Sequence, residues 1–184
     1  RDLGVGSALG ANLAFILKAR VQLLRDLGSA VSPFNAFLIA QGIETLSLRL
    51  DRHLENTRAV AAYIEGHDQV EFVRWASLPS NPTFELAQKY CPKGAGAVLA
   101  FEIAGGVEAG RRFVEGLTLH SHVANIGDVR SLVIHPASTT HSQGGDAERY
   151  AAGVTPGLIR LAVGIEAVDD IIADLEQGFA AARG

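Results

Sequence analysis

The side chain most out of place among its neighbours is Arg160, which stands within the apolar stretch LIRLAVG. A charge on a buried strand is unfavourable unless it is paired. One explanation is an internal ion pair, for which Glu102, Glu166 and Asp128 are the candidate partners. The other is that the guanidinium binds the carboxylate of a small molecule, because it is a rigid fork of donors that keeps its charge. The sequence leaves both explanations open.

A second candidate region is the stretch 136–156, which reads PASTTHSQGGDAERYAAGVTP and contains no convincing helix or strand pattern. A structureless stretch of about twenty residues is uncommon in a compact domain and is usually functional or disordered. This one is rich in hydroxyl groups and lies between two apolar stretches. It is either a solvated surface loop or a binding loop held on a rigid scaffold.

The segment HSHVANIGDVRSL supplies further polar candidates. Asn125 either caps a turn or presents its amide to a ligand. His120 and His122 are two residues apart, which on a strand places them on one face with a possible metal-ligand spacing. No tight cluster of further ligands accompanies them, so we favour partly buried structural histidines. A metal-dependent hydrolase that also uses His135 and His141 is the weakest hypothesis.

The elements that must position these residues follow an α/β or α+β pattern. Helical spacing of apolar residues, with start signals at Ser32-Pro33 and a stop at Gly28, predicts helices over 13–27, 33–64, 84–90, 107–116 and 168–182. Short apolar or alternating runs predict strands over 70–75, 97–103, 117–123, 131–135 and 158–163. The order therefore predicts a small sheet covered by helices, preceded by one long helix.

Composition excludes several classes of protein. The 16 basic and 20 acidic residues give a net charge of -4, which argues against nucleic-acid or anionic-membrane partners. The single cysteine, Cys91, rules out an internal disulfide and favours a reducing, cytoplasmic compartment. No apolar run approaches the roughly 18 residues that span a bilayer. The chain has no methionine and begins with Arg1, so we expect it to be a piece of a longer polypeptide.

Three long motifs occur in one order: SPFNAFLIAQGIETLSLRLDRHLENT, LHSHVANIGDVRSLVIHPASTTHSQ and GVTPGLIRLAVGIEAVDDIIADLEQGF. Together they closely resemble the C-terminal part of the Cys/Met-metabolism family of pyridoxal-phosphate (PLP) enzymes. The resemblance runs from about Phe15 to Ala182, and within the family it is strongest to the O-acetylhomoserine sulfhydrylases.

The resemblance implies a fold-type-I PLP-dependent transferase, usually a homotetramer, whose large N-terminal domain holds the cofactor. Residues 1–31 would then be a remnant of the large domain with one helix, and 32–66 the long interdomain helix. Residues 67–184 would form the small C-terminal α/β domain, with a mostly antiparallel sheet that binds the substrate carboxylate.

The resemblance also implies which residues bind substrate. The arginine of the family motif R-L-[SA]-V-G-x-E, here Arg160, binds the substrate α-carboxylate. The position of Asn125 supplies a second carboxylate contact. Thr140 would support the arginine by hydrogen bonding, and Ser131 is a further candidate near the site. No catalytic, cofactor-binding or metal-binding residue is expected in this chain.

The family joins its cofactor to a lysine in an S-x-T-K stretch, and this sequence contains no such stretch. Its three lysines are Lys18, in the helical segment FILKARVQL, and Lys89 and Lys93 in a polar segment. The family's phosphate cradle, the aspartate that holds the pyridine nitrogen and the stacking tyrosine are also missing. We therefore expect PLP to be bound by the absent N-terminal domain, and the chain alone to be inactive.

For the longer parent, the resemblance implies a γ-replacement of methionine biosynthesis. Sulfide attacks O-acetyl-L-homoserine, acetate leaves and homocysteine forms. A γ-lyase or a cystathionine synthase of the same family is the near alternative, and the acyl group and sulfur donor stay open. A non-catalytic assembly or binding domain is the alternative of another class. The expected partners are an amino-acid substrate, sulfide and further copies of the chain.

Overall fold

The computed structural model describes residues 13–184, and the chain divides into two compact units between Thr45 and Leu46. Within the described residues, the first unit begins with helix α1, which consists of Ala14–Leu17, π-helical Lys18–Leu24 and Arg25–Leu27. Gly28 ends it with a left-handed backbone at φ 64°, as the stop signal in the sequence predicts.

Helix α2 spans Pro33–Glu44. Its start follows the predicted capping pattern, because the Ser32 hydroxyl accepts a hydrogen bond from the Asn35 N–H at 3.2 Å. Every side chain of α2 is exposed, including Phe34 and Phe37. No residue of the first unit within 13–45 is buried, so the buried core of the described residues belongs to the second unit.

The prediction of one continuous helix over 33–64 is wrong. Thr45, at φ -104° and ψ 6°, leaves the helical conformation and separates α2 from α3, which spans Leu46–Glu65. A branched threonine three residues after Gly42 combines two poor helix formers, so the helix is weakest at this point. The interdomain role of 32–66 stays a prediction.

The second unit contains a five-stranded sheet in the order β1-β2-β5-β4-β3. Its strands are β1 Val70–Arg74, β2 Val98–Ile103, β3 Ser121–His122, β4 Leu132–Ile134 and β5 Leu158–Ala162. Three of the four pairings are antiparallel and only β3 with β4 is parallel. The predicted small, mostly antiparallel sheet is confirmed.

Besides α3, the helices of the second unit are α4 Phe84–Tyr90, α5 Gly106–Glu115, α6 Asp146–Ala151 and α7 Val168–Ala182. Helices α3, α5 and α7 pack on one face of the sheet. Alternate residues of a strand point to opposite faces, and in β2 Leu99, Phe101 and Ile103 enter this core. Ala100 points to the other face, where it packs beside a small separate cluster.

The prediction that 136–156 holds no regular element is also wrong. A short 3-10 helix spans Pro136–Ser138, and α6 spans Asp146–Ala151. Helix α6 starts where the Gly145 N–H donates to the Glu148 carboxylate at 3.2 Å. Two turns or fewer are too short to produce a readable hydrophobic period, so the sequence pattern missed them.

No helix within residues 13–184 is both long enough and apolar enough to cross a bilayer.

Candidate functional site

Arg160 lies in the middle of β5, the central strand of the sheet, and is half-buried. One end of its guanidinium, Nη2, donates to the backbone carbonyl of Asn125 at 3.1 Å. Its near neighbours along the strand, Ile159 and Leu161, are fully buried on the opposite, helix-covered face. The central strand therefore holds the charge in a fixed position on the open face of the sheet.

Glu102, one of three acidic residues that could neutralise Arg160, is buried and already held by other groups. Its Oε1 accepts the Gly157 N–H at 2.9 Å, and its Oε2 accepts the Thr155 hydroxyl. It forms no ion pair with Arg160. Hydrogen bonds from neutral donors thus satisfy this carboxylate and leave the guanidinium unneutralised.

The other two acidic candidates are held elsewhere as well. Glu166 accepts the Ser131 N–H at 2.7 Å and the Ser131 hydroxyl at 3.0 Å. Asp128 pairs with Arg130 at 3.1 Å, and the hydrogen bonds from Arg130 lower the pKa of Asp128 to about 2. Throughout residues 13–184, Arg160 forms no ion pair, which removes the internal-pair explanation of its position.

A cavity of about 540 Å³ opens beside Arg160 on the open face of the sheet. Its walls are mainly apolar and come from β2, β4, β5 and the 136–156 segment, with Ala100, Ile134 and Leu158 among them. Its charged lining consists of Arg74 and Arg160, and no carboxylate lines it in the part of the chain that is described. An apolar cavity with a few convergent polar groups is typical of a small-molecule site.

Asn125 contacts Arg160 through its backbone rather than its side chain. Its amide oxygen accepts the Ile126 N–H at 2.8 Å, so the side chain caps its own turn. The neighbouring Ala124, not Asn125, lines the cavity. Asn125 therefore fixes the direction of the guanidinium and presents no side-chain group to the cavity here.

Thr140 lines the cavity, as its predicted place in the site requires. The predicted hydrogen bond from its hydroxyl to Arg160 is not formed. The hydroxyl instead lies 2.9 Å from Nδ1 of His141. The carbonyl of Asn125 provides the support that the sequence assigned to Thr140.

Ser131 is fully buried and does not line the cavity. Its hydroxyl donates to Glu166 at 3.0 Å and accepts the Gly164 N–H at 2.9 Å. Both functions of the hydroxyl are used inside the protein. Ser131 thus joins the end of β5 to the segment before β4, and the structure does not bring it together with Arg160.

Arg74 is the charged lining residue that the sequence analysis missed. It ends the strand VEFVR and looks like an ordinary surface charge at a strand terminus. The only signal that could have found it is the strand pairing, because Arg74 pairs with Ala100, which in turn pairs with Arg160. Strand order is not readable from the sequence pattern.

His120 is a buried structural histidine that precedes β3 rather than lying on it. Its Nδ1 is 2.7 Å from Asp174, which also accepts the N–H groups of Thr118, Leu119 and His120 and the Thr118 hydroxyl. Burial lowers the pKa of His120. Burial opposes ionisation of Asp174 too, but these hydrogen bonds outweigh it and hold the pKa of Asp174 at about 2. His122, by contrast, is exposed.

His135 is buried between the Ser138 hydroxyl at 2.8 Å and the Pro156 carbonyl at 2.7 Å. Its burial lowers the pKa of the imidazole. Across 13–184, no three His, Cys, Asp or Glu side chains come together as a metal site. His135 holds the start of the 136–156 segment against its end.

The lysines test whether this chain could hold PLP. Lys18, Lys89 and Lys93 are all exposed, and none lines the cavity. The ammonium of Lys89 lies over the Tyr90 ring, 5.1 Å from its centroid. The three lysines therefore do not fit a covalently attached PLP at this cavity.

Comparison with known proteins identifies the family of the chain. The family model described as Cys/Met metabolism PLP-dependent enzyme matches residues 5–180. The chain is 54% identical over 169 residues to an O-acetyl-L-homoserine sulfhydrylase of Leptospira meyeri, covering 91% of the chain and 38% of that protein. It is 56% identical over 168 residues to the enzyme of that name from Corynebacterium glutamicum, with the same coverages.

Comparison with solved structures also finds similar enzymes. A protein of Campylobacter jejuni assigned as an O-acetylhomoserine (thiol)-lyase, which contains a pyridoxyl-lysine, superposes with a TM-score of 0.83 at 40% identity. That match covers 91% of this chain and 40% of the other. Cystathionine gamma synthase of Xanthomonas oryzae, in complex with cystathionine, gives 0.77 at 42% identity, covering 86% and 41%. The chain thus spans about two fifths of these relatives, and it belongs to the Cys/Met metabolism family of PLP-dependent enzymes.

Proposed function

We propose that this chain is the C-terminal, carboxylate-binding part of an O-acetylhomoserine sulfhydrylase. The whole enzyme joins sulfide to O-acetyl-L-homoserine and releases acetate and homocysteine. The observation that carries the proposal is the unpaired guanidinium of Arg160 at the cavity. The choice within the family is supported by relatives of that name at 54% and 56% identity.

Arg160 binds the α-carboxylate of the substrate in this proposal. Its guanidinium has five N–H donors, and the Asn125 carbonyl engages only Nη2. The remaining donors can engage both oxygens of a carboxylate as a fork. Because β5 is the central strand and pairs with a neighbour on each side, the backbone that carries Arg160 is held in place by both ladders.

The contribution of this chain to the reaction is orientation. A substrate that is fixed by its carboxylate keeps a constant orientation relative to the reacting groups. Holding reactants in a fixed orientation accelerates the reaction. The apolar walls of the cavity offer few competing polar partners beside the guanidinium and so favour its contact with a carboxylate. Asn125 is a positioning residue, since it acts through Arg160.

PLP supplies an electron sink for the carbon chemistry when it is bound. The residues that hold it belong, in this proposal, to polypeptide that precedes this chain in a longer enzyme. Lys18, Lys89 and Lys93 are exposed and do not replace them. The 184-residue chain by itself is therefore inactive.

A second candidate function is cystathionine synthesis or γ-elimination by the same family. The similarity to cystathionine gamma synthase of Xanthomonas oryzae, at 42% identity, supports it. Carboxylate binding by Arg160 serves all three reactions equally. A non-catalytic assembly domain, the candidate of another class, agrees with the missing lysine but gives Arg160 no ligand.

The test compares the 184-residue chain with the full-length polypeptide that contains it. We expect added PLP to give a yellow lysine-linked absorbance band in the full-length protein and none in the chain alone. We expect O-acetyl-L-homoserine and sulfide to yield homocysteine. Faster formation of cystathionine from cysteine, or of 2-oxobutyrate without any thiol, supports the second candidate instead. A full-length protein that binds no PLP overturns the enzymatic proposal.

A further inference from the structure

Two arginines and an alanine form one row across three neighbouring strands of the sheet. Arg74 on β1 pairs with Ala100 on β2, and Ala100 pairs with Arg160 on β5. Residues directly opposite one another on paired strands share a face of the sheet. Because adjacent strands are about 4.8 Å apart, the Cα atoms of the two arginines are roughly 10 Å apart. Both side chains line the same cavity.

Neutral groups hold both guanidinium groups. Arg74 donates to the Gly153 carbonyl at 3.3 Å and lies over the Phe72 ring, 4.5 Å from its centroid. Arg160 donates to the Asn125 carbonyl at 3.1 Å. Within the described range of the chain, no carboxylate pairs with either arginine. Their two positive charges are therefore available to a ligand.

The space between the two charges is open and not acidic. Ala100 contributes only a methyl group to the floor between them. Glu102 is the acidic residue on the same face in the next row, and Thr155 and Gly157 hold its carboxylate. The cavity of about 540 Å³ is larger than a single carboxylate needs.

We propose that Arg74 forms a second anion-binding position in this cavity, so that the cavity takes a small ligand with two anionic groups. One group binds Arg160 and the other binds Arg74, with the connecting carbons over Ala100. The inference rests on the proposed function where it assigns the α-carboxylate to Arg160. It adds that Arg74 can hold an anionic far end, such as the thiolate of the product homocysteine, whereas the acetyl end of O-acetyl-L-homoserine is neutral.

The exposure of Arg74 determines how much a second anionic group strengthens ligand binding. Arg160 is half-buried, whereas Arg74 is exposed, so water competes more strongly for the second contact. Stacking on Phe72 restricts the side chain and reduces the entropy lost on binding. We therefore expect the second anionic group to strengthen binding by about tenfold, the low end for a charge-assisted contact.

The experiment titrates the ¹⁵N-labelled 184-residue chain with butyrate, which has one carboxylate, and with glutarate, which has two. The Nε–Hε signals of Arg74 and Arg160 are followed by NMR after assignment with Arg74→Gln and Arg160→Gln. Butyrate should shift the Arg160 signal only. Glutarate should shift both signals with one shared Kd, about tenfold lower than that of butyrate.

Variants test which residue produces the preference for two charges. Arg74→Gln should bring the Kd of glutarate close to that of butyrate, and Arg74→Lys should restore part of the difference. Arg111→Gln is the matched control, because it removes one exposed charge from α5 on the opposite face of the sheet. This control should keep the full preference.

The outcomes separate this inference from the proposed function. A shift of the Arg160 signal alone, with both ligands and with equal Kd, overturns the role of Arg74 and leaves the proposed function standing. Titrations in which the Arg160 signal responds to neither ligand overturn the proposed function instead. A preference for glutarate that survives Arg74→Gln also overturns the inference.

Discussion

Replacing Arg160 with alanine should separate substrate binding from folding. In the proposed full-length enzyme, we expect Arg160→Ala to lower kcat/KM for O-acetyl-L-homoserine at least tenfold. In the 184-residue chain, we expect the same change to alter the free energy of unfolding by about 1 kcal/mol or less. This difference arises because the structure gives Arg160 almost no partner of its own.

The two magnitudes follow from the contacts. Within the chain, Arg160 makes one hydrogen bond to the neutral Asn125 carbonyl, and such a bond contributes about 0.5–1.5 kcal/mol to stability. Removing a half-buried charge from an apolar wall offsets part of that loss. In the complex, a charged contact with a carboxylate contributes about 1.5–3 kcal/mol, which corresponds to roughly 10- to 150-fold in kcat/KM.

The assay measures steady-state kinetics of the full-length enzyme and urea unfolding of the chain for the same set of variants. Arg160→Lys keeps the charge but loses the fork, so its kcat/KM should fall between those of the wild type and Arg160→Ala. Arg111→Ala, on the other face of the sheet, is the control and should leave kcat/KM within twofold. The reasoning is refuted if Arg160→Ala keeps wild-type kcat/KM. It is also refuted if this variant unfolds so easily that the lost activity only reflects lost protein.

Three further predictions concern stability, measured by urea unfolding. Because the folded-state pKa of Asp174 is about 2 against its usual 3.8, stability should be complete above about pH 4 and fall by roughly 2 kcal/mol as the pH drops to about 2. Asp174→Asn should remove this dependence. Ser131→Ala should cost about 1–3 kcal/mol, since it leaves the half-buried Glu166 carboxylate and the buried Gly164 N–H short of a partner, with kcat/KM barely changed. Gly157→Ala should destabilise strongly because its Cβ would overlap the Ile103 carbonyl oxygen, whereas Gly145→Ala, with open space, should not.

Local sequence patterns predicted most of the regular elements. Helix α7 and strand β2 occur within one residue of their predicted bounds, because α7 presents a clear apolar period and β2 a continuous apolar run. The exceptions are elements whose existence depends on one or two residues. Thr45 interrupts a pattern that continues on both sides of it, and α6 depends on local hydrogen bonds at Gly145.

The candidate site shows the same division. The sequence singled out Arg160 because a single charge among apolar residues is visible without any structure. It could not decide between an ion pair and a ligand, since that depends on where Glu102, Glu166 and Asp128 place their carboxylates. The sequence analysis named both Thr140 and Ser131 as candidates, and only the structure exposes the first and buries the second.

By itself, the sequence identified the family, predicted most of the helices and strands and singled out Arg160. All three depend on residues that are near one another along the chain. The tertiary structure decided which residues share the cavity. Arg74 and Arg160 are 86 positions apart in the sequence and meet only because β1, β2 and β5 are neighbours in the sheet. Strand order and register are set by packing of the whole unit, so no local pattern carries them.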